Sequence, residues 1–76
     1  MNSQRRKELR TILDSLTTAA RDLEGIRDDE EVYRDNIPEN LRESRNYEKA
    51  DDAACALDDA CNALGEIFEL LECAIE

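Results

Sequence analysis

The sequence lacks histidine and tryptophan, and it has only one proline and two glycines among 76 residues. Without histidine, the usual general base of enzymes and the commonest metal ligand are missing. The longest apolar run has five residues, Ala53 to Leu57, whereas about 20 are needed to span a bilayer. No nucleophile lies beside a base and no glycine-rich phosphate loop is present. We therefore expect neither an enzyme nor a membrane-spanning protein.

Basic residues are also scarce, with 10 Lys and Arg against 20 Asp and Glu, which gives a formal net charge of −10. Nucleic acids and anionic lipids are bound through clustered Lys and Arg, so the sequence predicts no direct binding to either and no association with a membrane. A basic protein surface is the favoured partner. The early cluster Arg5 to Lys7 is followed by Glu8, Arg10 and Asp14 instead of the apolar core of a signal peptide, which predicts a cytoplasmic protein.

The three cysteines, Cys55, Cys61 and Cys73, are separated by 6 and 12 residues and match no zinc motif. On one helix the outer two would lie about 27 Å apart, beyond disulfide reach. We expect reduced thiols, with a disulfide between chains or a redox sensor as alternatives. The carboxylates have neither histidine partners nor the central glycine of a calcium loop, so no metal and no cofactor is predicted.

The chain is short enough for a single domain, residues 1–76, and its apolar residues follow the 3-4 spacing of coiled coils. The first half predicts an amphipathic helix over residues 3–35, capped by Asn2 or Ser3, with Leu13 and Ala20 beside its apolar stripe. Its stripe residues are Leu9, Ile12, Leu16, Ala19, Leu23, Ile26, Tyr33 and Ile37. Only Glu30 interrupts the stripe. We expect Arg27 or Arg34 to neutralise it and Glu30 to fix the helix register, with a contact to a partner protein as the alternative.

Pro38 ends this helix, because it lacks an amide hydrogen and disfavours a helical Ile37. It predicts a turn over residues 36–45 that includes one helical turn after Pro38, followed by a second helix over 46–75 capped by Ser44 or Asn46. We expect Tyr33 and Tyr47 to form a small core with Ile37 and Leu41 at the turn, with an exposed contact surface as the alternative. The second stripe is uninterrupted: Tyr47, Ala50, Ala54, Leu57, Cys61, Leu64, Phe68, Leu71 and Ile75.

Two more rows widen the apolar surface of the second helix beyond what one neighbouring helix covers. They are Ala53, Ala60, Ile67 and Ala74, and Ala56, Ala63 and Leu70. The fold class predicted is therefore all-α, a long antiparallel helical hairpin resembling a coiled coil, which dimerises into a four-helix bundle. In such a hairpin, Arg5, Arg6, Lys7 and Arg10 would pair with Glu69, Glu72 and Glu76 near the two termini. The core and dimer residues predicted are Leu9, Ile12, Leu16, Leu23, Ile26, Leu57, Leu64, Ile67, Phe68 and Leu71.

The chain resembles a group of short acidic two-helix proteins of bacteriophages and mobile elements, mainly from Gram-positive hosts. The resemblance rests on residues 23–31 with Tyr33, on the Asn36–Leu41 block with Ser44, and on Tyr47–Ala50 opening an alanine-rich and acidic helix. It implies a phage or mobile-element product in a bacterial cytoplasm. No activity follows from it.

Charge patterning suggests the function. Residues 46–76 contain one basic and nine acidic side chains, so an inhibitor of a host defence or nucleic-acid-handling protein, such as a nuclease, could act by negative-surface mimicry. The contact residues predicted are Asp28, Asp29, Glu30, Glu31, Asp51, Asp52, Asp58 and Asp59. A structural or assembly bundle is the alternative, docking through the turn residues Asn36, Pro38, Glu39, Asn40, Leu41 and Tyr47. A further alternative is small-molecule binding in an alanine-lined bundle core.

Overall fold

The computed structural model describes all 76 residues and consists of two long helices joined by a short turn. Helix α1 spans Ser3–Asp35 and helix α2 spans Arg45–Ile75, with a single 3-10 turn at Glu39–Leu41 between them. The helices pack side by side in opposite directions, in a rod of 59 × 16 × 13 Å. The predicted all-α helical hairpin is confirmed, with helix bounds within one residue of those expected.

The helix ends form where the sequence predicts them. At the start of α1, the side-chain oxygen of Asn2 accepts a hydrogen bond of 2.8 Å from the Arg5 amide. At the start of α2, the Ser44 hydroxyl accepts one of 3.3 Å from the Tyr47 amide. Both caps satisfy backbone donors that have no partner inside the helix.

The turn is closed by backbone hydrogen bonds that follow Pro38. The Pro38 carbonyl accepts a hydrogen bond of 2.9 Å from the Leu41 amide, and the Leu41 carbonyl accepts one of 3.0 Å from the Ser44 amide. The predicted single helical turn after Pro38 is therefore present. Because Ser44 also caps α2, the turn leads directly into the second helix.

The two helices meet along what we call the hairpin seam, in which the half-buried or buried residues recur at 3-4 spacing. On α1 and just after it these residues are Arg6, Leu9, Leu13, Leu16, Ala20, Leu23, Arg27, Glu30, Arg34 and Ile37. On α2 they are Tyr47, Ala50, Ala54, Leu57, Cys61, Leu64, Phe68, Leu71 and Ile75. The predicted α2 stripe is confirmed, whereas half of the predicted α1 stripe is displaced by one residue.

The displacement removes four residues of α1 from the seam. Ile12, Ala19, Ile26 and Tyr33 are exposed, and the seam positions belong to the residues that follow each of them. Ile12 is 48% exposed, Ile26 57% and Tyr33 56%. Ile12 and Ile26, predicted as core or dimer residues, therefore lie outside the core of the hairpin, and the core position expected for Tyr33 is wrong.

Burial is deepest near the turn, where only Ala50 and Ala54 are fully buried. Their small side chains allow the helix backbones to approach closely, as the alanine-rich sequence predicts. Seven of the expected core residues lie half-buried in the seam: Leu9, Leu16, Leu23, Leu57, Leu64, Phe68 and Leu71. Ile67, expected in the bulky layer at the open end, is 43% exposed and lies outside the seam.

The predicted pairing of charges at the termini is absent from the structure. None of the four ion pairs involves the basic cluster at residues 5–10. Arg6 instead donates a hydrogen bond of 3.1 Å from its Nε to the Ile75 carbonyl, at the last turn of α2. That carbonyl has no partner inside the helix, so Arg6 ties the two ends of the chain together through the backbone.

Neither helix contains an apolar stretch of the length and hydrophobicity needed to cross a membrane.

Candidate functional site

Two arginines of α1 hold one side of the hairpin together. Arg27 lies 3.5 Å from Asp58 of α2 and 3.1 Å from its own neighbour Asp28. Arg34 lies 3.1 Å from both Asp51 of α2 and Asp35. The hydrogen bonds that Arg27 donates to Asp28 raise the pKa of Arg27, and the one that Arg34 donates to Asp35 raises the pKa of Arg34. Both guanidinium groups are therefore charged at every working pH.

These ion pairs divide the predicted contact residues into carboxylates that are paired with an arginine and carboxylates that are not. Asp28, Asp51 and Asp58 each face a guanidinium and are partly neutralised. Asp52 and Asp59, one residue further along α2, are exposed and make no ion pair. A basic partner would therefore meet uncompensated charge at Asp52 and Asp59 rather than at the neighbouring residue of each doublet.

The remaining predicted contact residues lie on α1. Asp29 is exposed and unpaired, Glu30 is half-buried in the seam, and Glu31 is half-buried beside it. Neither Arg27 nor Arg34 reaches Glu30, so the prediction that one of them neutralises it is wrong. The eight predicted carboxylates consequently do not form one surface. The structure spreads them around three sides of the rod.

The opposite side of the hairpin is apolar over most of its length, from residue 53 to residue 74 of α2 and from residue 12 to residue 33 of α1. We call it the outer apolar face. Its α1 members are Ile12, Ala19, Ile26 and Tyr33, and its α2 members are Ala53, Ala56, Ala60, Ala63, Ile67, Leu70 and Ala74. Leu70 is 70% exposed. Apolar residues scattered singly on a surface are ordinary, but a continuous strip of them indicates a contact surface.

The cross-hairpin ion pairs place the two parts of this face side by side. Arg27 faces Asp58 and Arg34 faces Asp51, so the numbers of facing residues add up to 85 in both pairs. A sum of 86, within one residue of this register, sets Ile12 beside Ala74, Ala19 beside Ile67, Ile26 beside Ala60, and Tyr33 beside Ala53. In each pair one large side chain lies beside an alanine, which gives the face an even profile.

No protein-family model matches the chain, and no curated protein or solved structure is significantly similar to it.

The structure contains one groove, on the side of the arginine ion pairs. It has a volume of about 360 Å³ and is open to solvent. Its lining residues are Thr17, Ala20, Arg21, Glu24, Phe68 and Glu72. Four of these are polar or charged, and the groove lies away from the alanine-rich stretch at the start of α2. It lacks the enclosed apolar walls that small-molecule sites usually have.

The predicted docking residues of the turn are mostly accessible. Asn36, Pro38, Glu39 and Asn40 are exposed, and Leu41 is 49% exposed. Tyr47 is half-buried in the seam, with the Arg42 guanidinium 6.0 Å from its ring centroid. The small core expected at the turn is therefore reduced to Ile37 and Tyr47.

Cysteines and carboxylates offer no further site. Cys55 and Cys73 are exposed, Cys61 is half-buried, and all three are free thiols. No three cysteine or carboxylate side chains are grouped so that they could hold a metal ion. The chemistry that the surface supports is therefore apolar contact on one side and attraction of positive charge on the other sides.

Proposed function

We propose that the protein is a non-enzymatic protein-interaction module. Two hairpins pair through their outer apolar faces into a four-helix bundle, and the acidic outer surface of the bundle binds a basic surface of another protein. The observation that carries this proposal is the division of the rod into an uninterrupted apolar side and sides rich in carboxylates. An apolar strip of this length is costly in water, while the unpaired carboxylates are well solvated.

The activity that fits such a module best is inhibition of a protein that handles nucleic acid. A negatively charged rod can enter a basic channel and exclude the true ligand, and its charge speeds the encounter. The resemblance to short acidic proteins of bacteriophages and mobile elements supports this setting. The proposed partner is then a basic-surfaced host protein, such as a nuclease, in the cytoplasm of a Gram-positive bacterium.

The test is an affinity capture from a bacterial lysate with matched charge variants. The unpaired pair Asp52→Asn and Asp59→Asn is compared with Asp14→Asn and Asp22→Asn, which removes the same charge from α1. We expect the wild type and the α1 variant to retain a nucleic-acid-binding protein that elutes with salt, and the α2 variant to lose it. Equal capture by all three proteins would contradict the acidic contact.

Docking through the turn is a second candidate, favoured by the exposed Leu41 at the closed end of the hairpin. A partner bound there would use apolar contact, so its retention would survive high salt. Leu41→Ser should then abolish capture while leaving the helix content unchanged. If Leu41→Ser captures the same proteins as the wild type, the turn is not the docking surface.

A further inference from the structure

The geometry points to the partner of the outer apolar face and to its alignment: a second copy of the chain, with α2 packed antiparallel against α2. The register of this pair is given by the residues that lie level with each other across the interface: the number of each α2 residue and that of the partner residue facing it add up to about 123. This inference rests on the proposed self-association and adds its direction and register. It also assigns a composite acidic strip that only the paired copies form.

The exposed area is the first observation in favour of a second copy. The chain exposes 5811 Å², whereas a typical monomer of 8.7 kDa exposes about 4,700 Å². The excess of about 1,100 Å² exceeds the roughly 800 Å² that each partner buries in a standard interface. Each helix of the rod has only one neighbour, and the missing contact has the size of a stable dimer interface.

The spacing on α2 is the second observation. Its part of the outer apolar face, residues 53, 56, 60, 63, 67, 70 and 74, repeats at 3-4 spacing, as the hairpin seam does. At 100° per residue the two rows are centred about 110° apart on the helix. A helix with two complete heptad rows at this angle has two helical neighbours, as in a four-helix bundle. α1 is the first of them.

Side-chain size selects the antiparallel direction. The alanines of the row lie mainly in its first half, and its two large residues, Ile67 and Leu70, lie near its end. In a parallel pair, Ile67 and Leu70 would face the same residues of the partner. At the other end, alanines would face alanines and leave a gap between the helices. An antiparallel pair sets Ala53 against the partner's Leu70, Ala56 against the partner's Ile67, and Ala60 against the partner's Ala63.

The overlap of the two rods selects the register. A sum of 123 places the two-fold axis between residues 61 and 62, close to the middle of α2, so nearly the whole length of both hairpins is covered. If one copy slides by one heptad, the numbers of facing residues add up to 130, and large side chains again face alanines. This slide moves the axis to residue 65 and uncovers about 10 Å of each rod beyond the first register.

This pairing joins the free carboxylates of two chains. Asp52, Asp59 and Glu66 border the outer apolar face on α2, all exposed and none in an ion pair. At the interface, Asp59 lies within two residues, about 3 Å along the axis, of the partner's Glu66, and Glu66 lies equally close to the partner's Asp59. The two copies therefore form one strip of six carboxylates, which a basic surface can contact. A single hairpin provides only three of them.

Cysteine cross-linking tests the register, starting from a chain in which Cys55, Cys61 and Cys73 are replaced by Ala. In that background, Ala60→Cys places its two copies only three residues apart along the axis, an axial offset of about 4.5 Å, which still allows a disulfide where the two helices pack closely. Ile67→Cys places them about 16 Å apart. As a third arm, a chain with Ala53→Cys is mixed with a chain carrying Leu70→Cys, and each is also oxidised alone.

We expect most of the Ala60→Cys chain to form a disulfide dimer, none of the Ile67→Cys chain, and a cross-link between Ala53→Cys and Leu70→Cys only in the mixture. Cross-linking of Ile67→Cys instead of Ala60→Cys would overturn the register. Cross-linking of Ala53→Cys alone would overturn the direction. Sedimentation of the wild type separates this inference from the proposed function: a dimer with the wrong cross-links keeps the self-association, whereas a monomer removes both.

Discussion

At the scale of single residues, Glu30 is the least favourable member of the hairpin seam. It is half-buried between seam residues of α1 and makes neither a hydrogen bond nor an ion pair with any side chain. A carboxylate in this position loses part of its hydration without gaining a partner. Its presence is compatible with a role in fixing register, at a cost in stability.

Replacing Glu30 by Leu should therefore raise the thermal stability. Filling the seam position with an apolar side chain should add about 1 kcal/mol, because only part of the leucine is buried. For a domain of this size that corresponds to an increase of about 4–8 °C in Tm, measured by circular dichroism. The control is Glu8→Leu, an exposed site on α1. Equal gains at both sites would mean that the seam position is not responsible.

Arg27 and Arg34 explain why the α1 seam was predicted one residue out of place. A choice among apolar residues alone selects Ile26 and Tyr33, but the seam positions belong to the arginines that follow them. Their side chains are only 25% and 23% exposed, and the guanidinium groups reach Asp58 and Asp51 of α2. The 3-4 spacing of Leu9, Leu13 and Leu16 carried the correct signal, but the charged members concealed its continuation.

At the scale of elements, the caps and the proline made the helix bounds predictable from sequence. Asn2, Pro38 and Ser44 act within a few residues of the chain, so their effect does not depend on how the helices pack. The pairing of side chains across the hairpin is different, because it depends on the register between the helices. This is why the ion pairs expected from bringing the two termini together are absent.

The Ser44 cap should contribute measurably to α2. Ser44→Ala removes the oxygen that accepts the Tyr47 amide and should cost about 1 kcal/mol, lowering Tm by about 4–8 °C. Ser15→Ala, at an exposed site within α1, is the matched control and should not lower Tm, because Ala is the better helix former. Thermal melts at one protein concentration compare the two variants, and an equal response would show that the cap contributes nothing specific.

The two apolar rows of α2 should respond differently to a buried charge. Leu64 lies in the hairpin seam and Ile67 on the outer apolar face, one turn away. Leu64→Asp should abolish most of the helical signal, because it places an unpaired carboxylate between α1 and α2. Ile67→Asp should keep the helical signal at high protein concentration and weaken dimerisation at least tenfold by sedimentation. Asn62→Asp, exposed outside both rows, is the control.

At the scale of the whole molecule, net charge and apolar area act against each other. Two copies of a chain with a net charge of −10 repel, and the pairing inferred above brings their carboxylate strips together. The apolar area buried between them has to exceed that repulsion. The same strips give the pair a higher density of negative charge than one hairpin has, so association with itself and association with a basic partner are coupled.

This coupling predicts opposite responses to salt. Added salt screens the repulsion between the strips, so the dimer should tighten as ionic strength rises, as measured by sedimentation. Binding of a fluorescent oligolysine peptide, followed by anisotropy, should weaken over the same range because its attraction is screened. Asp52→Asn with Asp59→Asn should tighten the dimer at low salt and weaken peptide binding, while Asp14→Asn with Asp22→Asn should change both less. A dimer that loosens with salt would contradict the placement of Asp59 beside the partner's Glu66, because no repulsion would then be relieved.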